Sequence, residues 1–284
     1  MWKGPSCPHG RIVMDILVFK VISTPLLLLA ATLAVRRWGE SVGGFIVGLP
    51  LTSGPISIFL ALDQGPRFAR EATSGSLSAT TAQAVFCVAY CGLANRGWLK
   101  ALVGATAIFA ITATVLQSRG LPSIELAAIA VVTMMVALYL MPKNVARTSA
   151  VRLPWWDLPL RMALITFLVV GVTLVAPLVG PGVSGVLAAF PLIATILAVF
   201  GHRTVGPEAA KQVLRGMTAG LFGFIAFFFV VSQALEQVTL PWVYLTAVLC
   251  SLAVQGAYWY RSHRHPPLPR AKTAGGTETA DLDQ

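Results

Sequence analysis

Long apolar runs follow one another along almost the whole chain, separated by short segments that carry charge, glycine or proline. A helix needs about 20 apolar residues to cross a hydrocarbon core about 30 Å thick. The pattern therefore predicts an all-α, polytopic membrane helix bundle of about nine transmembrane helices. Within several residues, the runs cover 13–35, 42–62, 73–94, 99–116, 122–141, 158–176, 183–201, 213–232 and 240–260.

The composition agrees with this pattern, since 56% of the residues are hydrophobic and only 11% are charged. Soluble domains carry roughly a quarter of charged residues. The net charge of +10 does not indicate nucleic-acid binding, because the basic residues occupy the gaps between apolar runs. We expect the lipid bilayer as the main partner, with no separate soluble domain and no nucleic acid.

Basic residues are distributed unequally between alternate gaps. Thirteen Lys and Arg residues follow the odd-numbered runs, the C-terminal segment included, and five lie on the other side. Cytoplasmic loops hold the excess of Lys and Arg. The distribution predicts a cytoplasmic C-terminus and an outer N-terminus, and we expect a bacterial inner (plasma) membrane protein.

The two halves of the chain are related by an ungapped shift of 141 residues. In this register Gly39 matches Gly180, Gly44 matches Gly185, Pro50 matches Pro191, and the pair 65–66 matches 206–207. Glycine and proline at fixed positions are unlikely to coincide by chance, so we interpret the match as an internal duplication. Five predicted helices separate equivalent positions, and an odd number gives the second copy the opposite orientation.

Together with the terminal segments and the connector, the two repeats divide the chain into five predicted segments. Residues 1–12 form a disordered N-terminal extension, although Met14 is an alternative start. A first repeat of five helices covers 13–141 and a cytoplasmic connector covers 142–157. A second repeat of four helices covers 158–260, and residues 261–284 form a disordered cytoplasmic tail.

The second helix of the first copy reads GGFIVGLPLTSGPISIF from Gly43 to Phe59. Proline removes a backbone donor and clashes with the preceding turn, so the helix should kink or unwind between residues 50 and 55. In a membrane, the freed backbone groups need partners from other helices, from nearby hydroxyls or from a solute. The substrate-binding residues predicted here are Gly48, Pro50, Thr52, Ser53, Gly54 and Pro55.

The matching segment of the second copy adds Pro191 and Thr195 to this predicted site. Paired, interrupted helices at corresponding positions of inverted halves are typical of solute sites near the bilayer midplane. A simple proline kink that shapes the bundle is the alternative for both copies.

The third helix of the first copy carries a polar face with Ser78, Thr81 and Gln83. These residues are candidates for lining a pathway, although Ser and Thr also bond carbonyls of their own helix. The third helix of each copy also has small residues at four-residue spacing, with Gly75 and Ala79 matching Gly216 and Gly220. In each copy this stripe favours close approach of another helix.

Charged residues inside the first helix of each half are candidates for gating. Lys20 and Arg161 match in the repeat register, and Asp15 and Asp157 lie close to them in sequence. One interpretation is snorkelling to the interface beside a local acid, and the other is a charge pair that controls access to a central site.

No ATP-binding P-loop and no HExxH motif occurs, so we expect neither an enzyme nor a cofactor. Cys87 and Cys91 share a helix face, and we interpret them as packing residues because a metal site needs more ligands. No metal site is predicted.

The arrangement of broken helices in opposed halves resembles inverted-repeat secondary transporters as an architectural class. The resemblance covers residues 13–260 and implies alternating access, with a small-molecule solute bound near Pro50 and Pro191. A non-transporting membrane scaffold or assembly partner is the alternative. The sequence leaves the oligomeric state open, a homo-oligomer included.

Overall fold

The computed structural model describes residues 9–51, 53–63, 65–142, 157–175 and 190–264, and within these ranges the chain is helical with no β-strand. A short 3₁₀ turn follows α4 at Ala94–Arg96. The helices are α1 (His9–Trp38), α2 (Glu40–Val47), α3 (Ser53–Asp63), α4 (Pro66–Leu93), α5 (Trp98–Ser118), α6 (Ser123–Leu140), α7 (Asp157–Val175), α8 (Leu192–Thr204), α9 (Pro207–Ala234) and α10 (Leu240–Arg264).

Five stretches of these helices are long and apolar enough to cross a membrane by length and composition. The predicted helical membrane bundle is therefore confirmed, and the chain is an integral membrane protein. Three further helices, α3, α7 and α8, contain shorter apolar stretches. The five candidate spans are Pro66–Arg96, Trp98–Ser118, Ser123–Leu140, Pro207–Ala234 and Leu240–Tyr258.

Two helices extend beyond the predicted segment boundaries by about one turn. α1 begins at His9, inside the predicted extension 1–12, and α10 continues to Arg264, inside the predicted tail 261–284. Hydropathy marks only the apolar part of a helix, and polar turns extend beyond it on both sides of a membrane. Residues 1–8, most of the connector (143–156) and 265–284 lie outside the described ranges.

α4 and α9 form the centre of the bundle. Both have 28 residues, and 67% of the most apolar stretch of each is buried. Each begins with a proline after a glycine of positive φ, Gly65 (89°) and Gly206 (127°). α4 packs against α3, α5, α6 and α9, and α9 also contacts α2, α6, α8 and α10.

The two central helices run antiparallel, because the beginning of each meets the end of the other. Arg70 near the start of α4 forms an ion pair with Glu236, just after α9. Lys211 near the start of α9 donates from Nζ to Asn95 Oδ1 (3.0 Å), just after α4, and to Glu208 Oε1 (2.6 Å). Each end of the central pair is thus closed by a polar contact.

Glycines bring α2 directly onto the backbone of α9. A Cβ atom on Gly48 would lie 2.7 Å from the backbone of Gly220, and one on Gly44 would overlap the carbonyl of Val213. From the other side, a Cβ on Gly216 would overlap the carbonyl of Ser41. Close packing, predicted for the small residues of the third helix, is confirmed for the second copy. At Gly75 of the first copy the prediction is wrong, since no described atom lies within 4 Å of an added Cβ.

The outer layer of the bundle is apolar towards its surroundings. α5, α6 and α10 bury less than a third of their most apolar stretches and expose large side chains such as Ile111, Met135 and Leu252. These surfaces suit contact with lipid acyl chains. α1 and α7 pack together at another side, where Leu28, Ile165 and Leu197 form a second buried cluster.

Candidate functional site

The helix interruption predicted around Pro50 is present in the first copy. α2 ends at Val47 and α3 begins at Ser53. The amide of Gly48 donates to the carbonyls of Gly44 and Phe45, which closes the helix before Pro50, whose nitrogen has no proton to donate. Thr52 lies outside the described residues.

α3 starts immediately after the break, since the Gly54 amide donates to the Pro50 carbonyl over 2.9 Å. Pro55 falls in the first turn of α3, where a missing amide proton breaks no helical hydrogen bond. Gly54 is buried, and Ser53 is partly buried at the first position of α3. The described residues of the first half of the predicted site therefore surround one interruption of the backbone.

This interruption lies opposite the middle of α9. Gly48 contacts Gly220, which is the 14th of the 28 residues of α9. At 1.5 Å per residue, α9 is about 42 Å long. The break therefore lies beside the middle residue of a helix that is a candidate membrane span.

The far side of the break is closed by aromatic residues that sequence reasoning did not identify. A Cβ on Gly54 would lie 3.3 Å from the ring of Phe227. Ser57 Oγ and Tyr244 OH, both buried, form a hydrogen bond of 2.9 Å between α3 and α10. The only signal for Ser57 is its position one turn after Ser53, and no pattern indicates Tyr244.

The second copy has a related start of its helix at Pro191. The Leu192 amide donates to the Phe190 carbonyl over 2.8 Å, and Pro191 has φ −78° and ψ 66°, the geometry of an inverse γ-turn. The Thr195 amide then donates to the Pro191 carbonyl over 2.9 Å. This bond matches the one between Gly54 and Pro50, but residues 176–189, which precede it, are not described.

Thr195 itself is 8% exposed, and its hydroxyl has no hydrogen-bond partner among the described residues. A buried polar group without a partner is unfavourable in an apolar environment. Phe190, five residues earlier, packs edge-on against Phe86 and Phe109, at centroid distances of 5.8 and 5.4 Å. The second half of the predicted site thus combines aromatic packing with one unsatisfied hydroxyl.

The pathway candidates on α4 are turned towards their own helix. Ser78 Oγ donates to the Ser74 carbonyl over 2.9 Å, and Thr81 Oγ1 to the Leu77 carbonyl over 3.4 Å. Both side chains are buried, whereas Gln83 is partly buried. For Ser78 and Thr81, the geometry therefore favours hydrogen bonding to their own helix over lining a pathway.

Among the gating candidates, Arg161 has a described side chain. It is 3% exposed, and its guanidinium lies over the Phe200 ring, 4.8 Å from the centroid. This cation–π contact joins α7 to α8 and differs from an extended, snorkelling conformation. Asp15, Lys20 and Asp157 lie in described helices, but their side chains are outside the description.

A polar cluster surrounds the start of α9. Lys211 is 7% exposed and contacts Glu208 and Asn95, while Tyr90 OH and His202 Nδ1 form a 3.3 Å hydrogen bond. Burial lowers the pKa of His202, and the charge of Lys211 lowers it further. His202 is therefore neutral at pH 7, and its ring can accept or donate a hydrogen bond to Tyr90.

Among the described residues, no group of three or more His, Cys, Asp and Glu side chains is placed to hold a metal ion. No protein-family model, curated protein or solved structure matches this chain.

Proposed function

We propose that this protein is a membrane transporter that moves a small solute by alternating access around two interrupted helices. The proposal includes nine spans in two inverted repeats of five and four helices. It places the N-terminus outside and the C-terminus in the cytoplasm of a bacterial inner membrane.

The observation that carries this proposal is the break between α2 and α3. It lies at the middle of α9, in a region where an interrupted helix requires partners for its backbone groups. Gly48 and Gly220 hold it against a central helix, and Ser53 begins the next helix beside it. Irregular backbone at this depth is typical of solute and ion sites in secondary transporters.

The inverted repeat is supported by contacts that match each other in the 141-residue register. Arg70 corresponds to Lys211, and Glu236 corresponds to Asn95. The Arg70–Glu236 contact therefore has Lys211–Asn95 as its counterpart at the opposite end of the central pair. A pseudo-twofold axis between the halves would produce this exchange. The equal bounds of α4 and α9, shifted by the same number, support it too.

The solute that fits this site is small and uncharged. The described residues around the break supply backbone groups, the Ser53 hydroxyl and aromatic rings. Arg161, a buried cation of the second half, has its guanidinium over the Phe200 ring. Among the described residues that flank the break, none carries a fixed positive charge.

A non-transporting scaffold is the second candidate, and specific contacts favour it. Ser57 is bonded to Tyr244, and Ser78 and Thr81 are bonded within α4. In a scaffold, these contacts would close the bundle permanently and the break would only shape it.

A flux assay in proteoliposomes with a panel of small solutes tests the proposed function. Pro50→Ala and Ser53→Ala should reduce the flux of the transported solute severalfold, because both change the interrupted segment. Pro122→Ala and Ser118→Ala, at the short connection between α5 and α6, are the matched controls and should transport normally. Normal flux in both Pro50→Ala and Ser53→Ala would remove this site.

Cysteine labelling separates the transporter from the scaffold. In a chain whose native cysteines are replaced, Ser53→Cys should react with small hydrophilic reagents added to either side of the membrane. A position that reacts from neither side favours the scaffold.

A further inference from the structure

Four sulfur-containing side chains converge where α4, α6 and α9 meet. Cys87 and Cys91 lie one turn apart on α4, Met217 lies on α9, and Met141 follows α6. All four are at most 8% exposed, and Cys87 is completely buried. These residues are up to 130 positions apart in the sequence, so only the packing of the central helices brings them together.

Contacts link three of these sulfur groups, those of Cys87, Met217 and Met141. The Cys87 thiol points at the Met217 thioether, with Sγ and Sδ 4.0 Å apart. The Thr218 hydroxyl lies 3.7 Å from Met141 Sδ and within hydrogen-bonding reach of the Cys87 thiol. Cys91 lies on the same face of α4 as Cys87, because residues four apart are neighbours on a helix.

The separation of Cys87 and Met217 suits two ligands of one metal ion. Sulfur atoms that each bind a metal at about 2.3 Å lie about 3.8 to 4.6 Å apart for tetrahedral to linear angles. Thiolate and thioether ligands together select soft ions such as Cu(I), whereas imidazole and carboxylate ligands suit other metals. No imidazole or carboxylate is among the four clustered side chains.

We infer that Cys87 and Met217, with Met141 as a further thioether ligand, form a binding site for a monovalent soft cation, Cu(I). Binding replaces the thiol proton of Cys87 by the metal, and the proton goes to solvent. No electron is transferred. A thiolate and a monovalent cation together are neutral, so the loaded site adds no net charge to the buried core. A divalent ion with the same thiolate would leave an uncompensated charge, which is unfavourable at this depth.

This inference goes beyond the proposed transport function and does not depend on it. The cluster lies on the α4 side of α9, whereas α2 and the break contact the same helix through the backbone of Met217 and Gly220. A sulfur pair that only packs, with its thiol hydrogen-bonded to the thioether, is the competing interpretation.

The test is an anaerobic titration of the reduced, detergent-purified full chain with Cu(I) buffered by a competing chelator. The wild-type protein should hold one Cu(I) per chain, with copper–sulfur distances in X-ray absorption. Cys87→Ser and Met217→Leu should each weaken binding at least tenfold. The matched controls, Cys250→Ser and Met135→Leu, change an exposed cysteine and an exposed methionine, and they should bind as the wild type does.

Met217→Leu conserves volume, so it should leave the fold intact, and its elution volume checks this. Ag(I) should raise the thermal unfolding midpoint of the wild-type protein, which provides a readout without any variant. Wild-type binding by Met217→Leu, loss of binding in Cys250→Ser, or an unfolding midpoint unmoved by Ag(I) would each overturn the inference.

Discussion

Arg215 donates to a backbone carbonyl that a proline elsewhere in the chain leaves without its usual helical donor. Its guanidinium donates to the carbonyls of Leu138 (2.7 Å) and Met141 (2.8 Å), at the end of α6. The Leu138 carbonyl would ordinarily accept from the amide of residue 142, which is Pro142 and has no proton. The cation also suits the negative end of the helix dipole.

Replacing Arg215 by leucine should therefore destabilise the fold. The variant leaves two partly buried carbonyls without this donor, and each should cost at most the roughly 1–3 kcal/mol of a fully buried unsatisfied acceptor. Chemical unfolding in mixed micelles measures the difference. Arg119→Leu removes an exposed arginine after α5 and is the control. Equal stability of the Arg215 variant and the wild type would contradict this role.

Single residues were predictable where their effect is local. Gly48 and Pro50 interrupt the backbone at their own positions, so the sequence sufficed to predict the break. Ser57 and Tyr244 are 187 positions apart, and nothing in either neighbourhood identifies the partner. Arg161 was assigned two alternative roles from sequence, because the presence of Phe200 beneath it depends on the packing of α7 against α8.

The packing of α2 on α9 depends on glycine in both helices. With side chains at Gly44, Gly48, Gly216 or Gly220, the backbones could not approach so closely. Small residues drive such contacts in membranes, where apolar side chains gain little by leaving lipid.

Gly216→Ala should weaken this contact, because its Cβ would overlap the Ser41 carbonyl. Overpacking of this kind should lower the free energy of unfolding by about 1–3 kcal/mol. Gly75→Ala is a matched control at the equivalent position of the first copy, where no described atom lies within 4 Å of the added Cβ. Thermal unfolding of the purified proteins should show a loss for Gly216→Ala alone, and equal losses would refute the explanation.

Helix locations were more predictable than helix ends. The apolar run 42–62 was predicted as one broken span, and the structure divides it into helices of 8 and 11 residues. α4 begins at Pro66, seven residues before the predicted span at 73, because hydropathy does not register a polar first turn. The turn at Gly65 and Pro66 marks that start more accurately than the apolar pattern does.

The polar contacts at the two ends of the central pair make a prediction about the complete chain. In a chain without native cysteines, a short bifunctional maleimide should cross-link Arg70→Cys to Glu236→Cys, and Lys211→Cys to Asn95→Cys. The mixed pair Arg70→Cys and Asn95→Cys is the control and should not cross-link, since these residues lie at opposite ends of α4.

The proposed inverted orientation adds a second readout to this experiment. An impermeant thiol reagent should reach the pair at 70 and 236 from the outer side, and the pair at 95 and 211 from the cytoplasmic side. Labelling of both pairs from the same side would contradict the inverted repeat. The sequence register predicted the equivalence of Arg70 and Lys211, but their partners became evident only from the antiparallel packing of α4 and α9.

The α2–α9 contact also has a consequence for biosynthesis. Gly44 is translated about 170 residues before Gly216, its neighbour in the same interface. At about 5–20 residues per second, a growing chain holds α2 without this partner for roughly 10 to 30 seconds. α2 has only eight residues, too few to span a bilayer alone. During this interval the nascent first half has its α1 and α4 contacts, but the glycine face of α2 lacks its α9 partner.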